Sequence, residues 1–412
     1  MTGPFSGLRV IDFTHVLAGP ACAYYLGLLG ADVIKVESAA RGDAMRYRGG
    51  TDRARADSGM STAFLTQGAG KKSVAIDLSQ GPGRSVFYKL IASADILVEN
   101  HLPQTLKDLS LGEADLRILN PRLIHCAMTG YGRGGDRQDA PAYDVNIQAA
   151  SGLMSLTGTD GTGPLRTGAP VMDYATALAA AFAISAALHQ RNQSGEGSFI
   201  DVSMLETAFV LMSSTVADYL TTGSLPKPRG NAANSRSPAA GSFACKDGIL
   251  SLGVNEDHQF AALAETVGRP EWVSDIRFST RAARRDHADE LKQALCARLT
   301  TRTAEEWESA LTENGVPAAR LRTLPESLAL HQVEARRFLH SDALTGAITP
   351  TLPFRIGPDA VHAPRSTTPN LGAHTREVLR SLGYADAEIA EFERQGAVRV
   401  HDDVNDLRTD GR

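Results

Sequence analysis

One carboxylate, Asp173, stands between a loop with Gly168 and Pro170 and an alanine-rich segment long enough for several helical turns, in RTGAPVMDYATALAAAFAISAALHQR (166–191). An aspartate in this place can cap the helix, an interaction typically worth about 1 kcal/mol. The positive end of a helix also favours an ionised carboxylate, which can attack an acyl carbon. The pattern therefore leaves two hypotheses for Asp173, a helix cap and a nucleophile.

The segment before it, SGLMSLTGTDGTGP (151–164), is rich in glycine. Because glycine lets backbone N–H groups approach a ligand closely, this segment could stabilise a developing oxyanion. The sequence lacks G-x-G-x-x-G after its first predicted strand and contains no G-x-S-x-G, H-E-x-x-H, Walker or C-x-x-C motif. These absences argue against a nicotinamide enzyme and several hydrolase families. The histidines show no ligand spacing, so we expect no metal site.

Basic side chains exceed acidic ones between residues 41 and 72, although the chain has a net charge of −5. Two interpretations are open, a phosphate-binding region and a solvated surface loop. The basic residues are Arg41, Arg46, Arg48, Arg53, Arg55, Lys71 and Lys72. Glu37, at the end of a predicted strand, has two similar interpretations, a ribose-binding acid and a solvated glutamate.

Strand-like and helix-like segments alternate through the first half of the chain. LRVIDF (8–13), a helix-like ACAYYLGLLGA (21–31) and DVIKVES (32–38) form one strand–helix–strand unit. The pattern returns in KSVAIDL (72–78), GRSVFYKLIASA (83–94), DILVEN (95–100) and RLIHCAMTG (122–130). This alternation predicts an α/β fold with a parallel sheet, whose ligands bind beyond the carboxyl ends of the strands.

A linker is predicted at 221–241, where Pro, Gly, Ser and Asn replace large apolar residues. After it, SFACKDGILSLGV predicts a hairpin across Asp247-Gly248, and Thr303 with Glu306 has the spacing of a capping box. These features predict a small α+β domain over 242–325.

The composition restricts the partners. The 42 basic and 47 acidic side chains give no field that favours nucleic acid. The four cysteines are far apart in sequence, as expected in a reducing compartment. The longest apolar run, around 177–188, is short for a membrane span, and the N-terminus lacks a signal-peptide pattern. We therefore expect a cytoplasmic protein without a nucleic-acid or membrane partner.

Six segments, taken together, resemble the class III coenzyme A transferases, which include formyl-CoA and succinyl-CoA-dependent dicarboxylate transferases and the related 2-methylacyl-CoA racemases. The resemblance extends over about 7–384. The segments are GLRVIDFTHVLAGPACAYYLGLLGADVIKVES (7–38), GKKSVAIDLSQGPGR (70–84), ADILVENHLP (94–103), YDVNIQAASGLMSLTG (143–158), GAPVMDYATALAAAFAISAAL (168–188) and LGAHTREVLRSLGY (371–384).

The resemblance implies that Asp173 is the nucleophile and passes through an acyl anhydride and a CoA thioester. Acyl-CoA and a small carboxylic acid would be the substrates, with no permanently bound cofactor. It also implies which further residues contact the ligand. Leu17 and Ala18 would lie at the CoA thiol arm, with His15 just before them, and Tyr143 and Asp144 would lie at the thioester. The residues expected at the adenine and ribose are Ile76 to Ser79, Asn100, His101 and Leu102, and those expected on a lid are Gly253 and Asn255.

Two departures from the family matter. Ser38, Ser79 and Asp108 stand where some transferases place basic residues, which leaves Arg41, Lys72 and Lys107 as candidates for neutralising the CoA phosphates. Tyr143 replaces the histidine that racemases pair with an aspartate, and a phenol is a poor base at neutral pH. Transfer of coenzyme A is therefore favoured over racemisation and over a non-catalytic CoA-binding paralogue, and we expect succinyl-CoA as the donor and a dicarboxylic or hydroxy acid as the acceptor.

The family architecture implied for this chain has a Rossmann-like large domain, 1–220 and 330–412, the linker 221–241 and the small α+β domain 242–325. Two such chains would form an interlocked homodimer.

Overall fold

The structure, a computed structural model, describes residues 3–357 and 362–401. The chain divides into a large unit, Met1–Met154, Arg166–Leu225 and Arg336–Arg412, and a small unit, Ser155–Leu165 and Pro226–Ala335. Residues 226–241 of the predicted linker thus belong to the small unit, as do residues 155–165. The last part of the predicted large domain, 402–412, lies outside the described residues.

The strands in the described part of the chain are β1 Arg9–Phe13, β2 Asp32–Ser38, β3 Lys72–Ile76, β4 Ile96–Glu99, β5 Ile124–Thr129, β6 Gly158–Thr159, β7 Gly163–Pro164, β8 Ser198–Ser203, β9 Ala240–Ala244, β10 Ile249–Gly253, β11 Ala318–Arg320, β12 Leu339–Ser341, β13 Ile348–Pro350 and β14 Val398–Arg399.

The α-helices in the same residues are α1 Ala18–Leu28, α2 Arg53–Asp57, α3 Thr62–Gly68, α4 Gly81–Ala92, α5 Pro103–Asp108, α6 Glu113–Leu119, α7 Asp144–Ala150, α8 Leu153–Leu156, α9 Val171–Ser194, α10 Met204–Leu211, α11 Ser213–Thr222, α12 Asp257–Thr266, α13 Arg281–Asp286, α14 Ala288–Leu299, α15 Ala304–Glu313, α16 Leu324–Leu328, α17 His331–Arg336, α18 Thr375–Ser381 and α19 Asp386–Arg394.

The large unit is built on a seven-stranded sheet in the order β14-β3-β2-β1-β4-β5-β8. Its pairs are parallel except for β14, which runs antiparallel to β3 at the edge. Strands β1 to β5 are largely buried, as expected for a sheet covered on both faces. The predicted α/β class and the predicted strands 8–13, 32–38, 72–78, 95–100 and 122–130 are confirmed.

The two faces of this sheet have separate apolar cores. Leu90 of α4 and Leu379 of α18 pack on one face with Ile34 and Leu97 of the sheet. On the other face α1 and α9 pack together against β1, β4 and β5. Because the parallel strands share one direction, the loops after β1 to β5 meet at one edge, which we call the carboxyl edge.

Helix α9 is 24 residues long, and by length and composition alone it could cross a membrane. The expectation that the apolar run is too short is therefore wrong on those two criteria. One face of α9, including Ala177, Ala180 and Ile184, is buried in the core of the large unit. Near its C-terminus, Arg191 is buried and ion-paired to Asp95 at 2.9 Å. These contacts make α9 a core helix of this unit.

The small unit has its own sheet, in which β9 and β10 form the predicted hairpin and β11 pairs with β10. Helix α15 starts at the predicted capping box, where Thr303 Oγ1 accepts the Glu306 N–H at 3.2 Å. Trp307 of the same helix is fully buried in the apolar core of this unit. The predicted hairpin and helix start are both confirmed.

Candidate active site

A cavity of about 340 Å³ opens at the carboxyl edge beyond β1, β4 and β5, and we call it the Asp173 cavity. It brings together eight of the residues predicted for the site: His15, Leu17, Ala18, Asn100, His101, Leu102, Tyr143 and Asp173. Its remaining walls are Val16, Thr105, Met128, Thr129, Gly130, Ala140, Pro141, Ala142 and Met204. No lysine or arginine occurs among these described lining residues.

A second cavity, of about 350 Å³, lies beyond β1, β2 and β3, and we call it the Ser79 cavity. The predicted residues Ile76 and Ser79 line it. His15 and His101 line both cavities, so the two meet at these side chains. The sequence analysis placed Asn100 and Leu102 with Ile76 and Ser79, whereas the structure places them in the walls of the Asp173 cavity.

Asp173 lies in the first turn of α9 and does not cap it. The helix starts at Val171, and the residue in the cap position, Pro170, makes no side-chain cap hydrogen bond. The cap comes from another helix, because Asp144 Oδ2 accepts the Met172 N–H at 2.7 Å. The cap hypothesis for Asp173 is therefore wrong, and its carboxylate is left to face the cavity.

Asp144 is buried and holds the start of α9 from behind the cavity wall. Its Oδ1 accepts Gln148 Nε2 at 2.5 Å, and Gln148 Oε1 accepts the Thr167 N–H at 2.9 Å. Asp144 is not among the lining residues of the Asp173 cavity. In this structure Asp144 positions the start of α9, and its contact with substrate stays a prediction.

The pKa of Asp173 is raised to about 7, first by burial and then by the negative charge of Asp144. Both effects disfavour the ionised carboxylate and act in the direction opposite to the predicted effect of the helix N-terminus. Near neutral pH the side chain exists in both protonation states.

Two histidines stand where the cavities meet, with ring centres 5.2 Å apart. His15 is held through its backbone, because its N–H donates to Asn100 Oδ1 at 2.9 Å and its carbonyl accepts Asn100 Nδ2 at 2.8 Å. The His101 N–H donates to Glu99 Oε2 at 2.9 Å. Reciprocal contacts of this kind fix the two loops relative to each other.

Both rings are uncharged at neutral pH. The pKa of His101 is lowered to about 4, by burial first and by the nearby His15 second. The His15 ring has an exposed surface toward the cavities, yet the surrounding protein removes enough water to lower its pKa as well. The two rings therefore offer neutral hydrogen-bonding groups to a ligand.

Two members of the basic cluster between residues 41 and 72 are structural. Arg46 is buried and forms a bidentate ion pair with Glu37, with both N···O distances 2.7 Å. Glu37 is therefore neither solvated nor free for a ribose. Lys71 is buried against Asp12 at 2.7 Å. These pairs make Arg46 and Lys71 unavailable to phosphates, whereas three arginines of the cluster are exposed: Arg41, Arg48 and Arg53.

Lys72 starts β3 and so lies at the sheet edge opposite the cavities, where it pairs with Asp32 at 3.4 Å and Glu377 at 3.2 Å. The structure does not bring Lys72 to the site. Arg41 is exposed, and its close neighbours Ser38 and Gly42 line the Ser79 cavity. Lys107, the third candidate, is exposed on α5, and its near neighbour Thr105 lines the Asp173 cavity. Of the three predicted phosphate ligands, Arg41 and Lys107 are therefore near a cavity and Lys72 is not.

Gly253 and Asn255, predicted as lid residues, belong to the small unit. The Gly253 N–H donates to the Pro317 carbonyl at 2.9 Å, and Asn255 Nδ2 donates to the Gly253 carbonyl at 3.1 Å. Asn255 lines a cavity of about 270 Å³ within this unit, together with Arg281. The glycine-rich residues 158–164 also belong to the small unit.

Sequence analysis missed Glu99, a fully buried carboxylate at the end of β4. Its Oε1 accepts hydrogen bonds from Arg133 and, at 3.2 Å, pairs with His125 Nε2. Through its other oxygen it holds the His101 N–H. The signal in the sequence was a glutamate that closes the apolar run ILVE just before the cavity residue Asn100.

Comparisons with known proteins agree on one family. The family model described as CoA-transferase family III matches residues 5–375. A mouse (Mus musculus) succinyl-CoA:glutarate CoA-transferase is 32% identical, over 97% of this chain and 91% of that protein. The succinyl-CoA–L-malate CoA-transferase beta subunit of Chloroflexus aurantiacus is 34% identical, over 95% and 97%.

The fold agrees with a solved structure as well. A crystal structure of a CAIB/BAIF family protein from Brucella suis superposes with a TM-score of 0.81 at 30% identity. The match covers 93% of this chain and 100% of that one.

We expect Asp173→Asn to have a larger free energy of unfolding than the wild type, and we expect this difference to be larger at pH 8 than at pH 5. The folded-state pKa of about 7 lies above the ordinary 3.8, so ionisation of this carboxyl destabilises the folded state. The resulting gain in the variant is absent below about pH 3.5, grows up to about pH 7 and reaches at most about 4 kcal/mol. Urea unfolding at both pH values measures it.

Asp136→Asn, which replaces an exposed carboxylate of the same unit, is the matched control. It should change the free energy of unfolding little at either pH. An equal gain for both variants, or no gain for Asp173→Asn at pH 8, would contradict the electrostatic account of Asp173.

Proposed function

Because the chain belongs to CoA-transferase family III, we propose that it moves coenzyme A from an acyl-CoA donor to a small carboxylic acid, with Asp173 as the nucleophile. The observation that carries this proposal is the Asp173 cavity. The Asp173 carboxylate, which does not serve as a helix cap, faces a space that is lined by neutral groups. The cavity adjoins a second one at His15 and His101, and together they offer an extended site to a long ligand.

In the first half of the reaction, an ionised oxygen of Asp173 attacks the thioester carbon of the donor. The C–S bond breaks, coenzyme A leaves as a thiolate, and an acyl-aspartyl anhydride remains. The thiolate then attacks the aspartyl carbon of the anhydride. This step releases the donor as a free carboxylate and leaves Asp173 as a thioester of coenzyme A.

The second half reverses these steps with a new acid. The acceptor carboxylate attacks the aspartyl thioester, which releases the thiolate and forms a new anhydride. The thiolate attacks the acyl carbon of the acceptor, which gives the product thioester and regenerates Asp173. No proton is gained or lost. Both intermediates hydrolyse if water reaches them, so the reaction requires an enclosed site.

The start of α1 supports this chemistry. Leu17 and Ala18 line the Asp173 cavity, and the cap position of α1 makes no side-chain hydrogen bond. Backbone N–H groups in the first turn of a helix are available to a developing oxyanion. We propose that these groups stabilise the tetrahedral intermediates, a role that the sequence analysis assigned to residues 151–164.

The acceptor is proposed as a dicarboxylic or hydroxy acid, with succinyl-CoA as a donor, because relatives of this chain carry such names. The neutral polar walls add a distinction. Asn100, Thr105 and Thr129 can hydrogen-bond a hydroxyl, whereas no basic side chain among the described lining residues would pair with a remote carboxylate. The large unit by itself therefore favours a hydroxy acid.

We also propose that two copies of the chain form the interlocked homodimer. Three neighbouring helices of the large unit, α9, α10 and α11, expose a group of large apolar side chains, and a contiguous patch of this kind marks an interface. They are Leu178, Phe182, Phe209, Val210, Leu211, Tyr219 and Leu220, of which Phe182 is 78% exposed. The occupant that we propose is the same face of a second copy, in a cytoplasmic protein.

We expect the wild type to transfer coenzyme A from succinyl-CoA to at least one hydroxy or dicarboxylic acid, and Asp173→Ala to lose a factor on the order of 10⁴ or more in turnover. Mass spectrometry of the new thioesters, with succinyl-CoA and acetyl-CoA as donors, measures the transfer. Hydroxylamine added to the wild type with acyl-CoA alone should leave a hydroxamate on Asp173.

Retained turnover in Asp173→Ala, or no adduct at this residue, would reject the nucleophile. Incubation of the protein with a 2-methylacyl-CoA in deuterium oxide, without an acceptor acid, distinguishes racemisation from transfer. Deuterium washed into the α-position of a 2-methylacyl-CoA would favour the racemase, the alternative that Tyr143 argues against.

We expect kcat/KM for acyl-CoA to rise with pH around 7, because only the ionised form of Asp173 attacks and its pKa is about 7. Asp144→Asn removes the neighbouring charge but keeps an oxygen for the Met172 N–H. The rise should therefore move to lower pH by about half a unit or more. Initial rates across pH 5.5–9 test this.

Tyr143→Phe serves as the comparison for this pH profile, since it changes a cavity residue without changing a charge. Its midpoint should stay at the wild-type value. A midpoint that does not respond to Asp144→Asn would show that another group controls the rise.

We expect the protein to sediment at twice the 43.8 kDa chain mass and to exchange no subunits with a tagged copy under native conditions. Interlocked chains separate only when they unfold, so mixed dimers should form only after unfolding and refolding together. Native mass spectrometry of the mixture gives the answer. Exchange within hours would reject the interlocking, and a monomer would reject the dimer.

Phe182→Glu should lower the yield of dimer after refolding. Ile118→Glu, on α6 and 82% exposed, is the control at a position outside the proposed interface. Equal yields for the two variants would count against the α9 face.

A further inference from the structure

Four buried charges lie next to the segment Thr14–Val16, and no step of the proposed transfer uses them. We call Asp12, Lys35, Asp43 and Lys71 the Lys35 network, and each is at most 5% exposed. Lys71 Nζ lies 2.7 Å from Asp12 Oδ2, and Lys35 Nζ lies 3.1 Å from Asp43 Oδ2. Lys35 also lies 3.9 Å from Asp12 Oδ2, so the two pairs form one cluster without net charge.

The network holds the backbone on both sides of His15. Before His15, Lys35 Nζ donates to the Thr14 carbonyl at 3.0 Å. After His15, the Val16 N–H donates to Asp43 Oδ1 at 3.3 Å. Together with the two hydrogen bonds from Asn100 to the His15 backbone, these contacts hold the segment at the junction of the cavities.

The segment that they hold is strained. Val16 has a φ of 69°, in the left-handed region that β-branched residues rarely adopt. Such a conformation is energetically unfavourable and persists only where the surroundings enforce it. Val16 and the two following residues line the Asp173 cavity, and His15 lines both cavities. The strain thus lies at the site, where the network can maintain it.

Stability alone does not account for this arrangement. Burial by itself would raise the pKa of Asp12, and the two lysines overcome that effect and hold the pKa below its ordinary value. A buried ion pair of this kind adds little net stability compared with apolar side chains of the same size. The contacts to Thr14 and Val16 are what apolar side chains could not provide.

We infer that Lys35 and Asp43 are positioning residues for acyl-CoA, because they hold Thr14–Val16 in the strained conformation that joins the two cavities. Through the Thr14 carbonyl and the Val16 N–H they place His15, Leu17 and the start of α1 against the ligand. The inference rests on the proposed function for the identity of the ligand. Asp12, Lys35 and Lys71 line neither cavity, whereas Asp43 lines the Ser79 cavity next to the segment that it holds. No member of the network takes part in the transfer steps.

The double variant Lys35→Met/Asp43→Asn tests this inference. It removes both charges with little change in shape, and it deletes the hydrogen bond to Thr14 while an amide oxygen remains for Val16. We expect coenzyme A, measured by calorimetry, to bind at least tenfold more weakly. Hydrogen exchange in a peptide covering 13–18 should become faster.

The matched control is Arg191→Met/Asp95→Asn, which removes another ion pair of the large unit whose cation is 5% exposed. Arg191 is eighteen residues beyond Asp173 on α9, roughly 27 Å away at 1.5 Å per residue. Both double variants should melt at lower temperature than the wild type. Only the Lys35 network variant should lose affinity for coenzyme A and protection in 13–18.

A folded Lys35→Met/Asp43→Asn protein that binds coenzyme A within threefold of the wild type would overturn the inference, as would an equal loss in the control. If the double variant does not fold, Asp43→Ala alone is used, because it removes the acceptor of the Val16 N–H. At least threefold weaker binding and faster exchange in 13–18 are then expected, and wild-type binding overturns the inference. Calorimetry needs no turnover. A wild type that binds coenzyme A but transfers none would therefore reject the proposed function and leave this comparison valid.

Discussion

The placement of the Asp173 carboxyl beside a second carboxylate, in a space with little water, is the constraint on which the site depends. Asp144 provides the hydrogen bond that starts α9, and α9 presents Asp173 to the cavity. The same charge that builds the helix start also opposes ionisation of its neighbour. A nucleophile held in this way is more reactive once ionised, because no hydrogen bond or counter-ion from the described residues has to be broken before it attacks.

Three other buried carboxylates of the large unit are paired with cations. Asp12, Asp43 and Glu37 are each neutralised by a buried cation, and Lys35 and Arg46 supply two of these. Compensated charges give directional contacts to backbone groups without leaving a net field in the core. The structure thus shows two uses of buried charge at one sheet edge. Ion-paired groups fix the loops, and Asp173, which has no cation partner among the described residues, is available for chemistry.

The sequence predicted the strand and helix pattern well, because apolar runs such as RLIHCAMTG and DILVEN depend on local periodicity. The ion pairs between segments that are distant in sequence could not be predicted from local patterns. Lys72 and Lys71 are adjacent in sequence, yet one lies at the amino edge and the other contacts Asp12 in the core. The clue that was available is Lys35 in the middle of DVIKVES, a charged residue in an otherwise apolar strand that requires a buried partner. The helix cap was missed for the same reason, since Asp144 acts from 28 residues away.

Neutral histidines at the junction of the cavities fit a reaction in which protons are neither taken up nor released. In the proposed transfer, carboxylates and thiolates exchange places on acyl carbons, and no step moves a proton. A second group with a pKa near 7 would therefore have no role in the reaction. Burial lowers the pKa of both His15 and His101, that of His101 to about 4. A racemase needs the reverse, two bases that collect and return a proton, and the exposed Tyr143 beside Asp144 does not supply a second one. The electrostatics of the cavity therefore favour group transfer over proton transfer on the same fold.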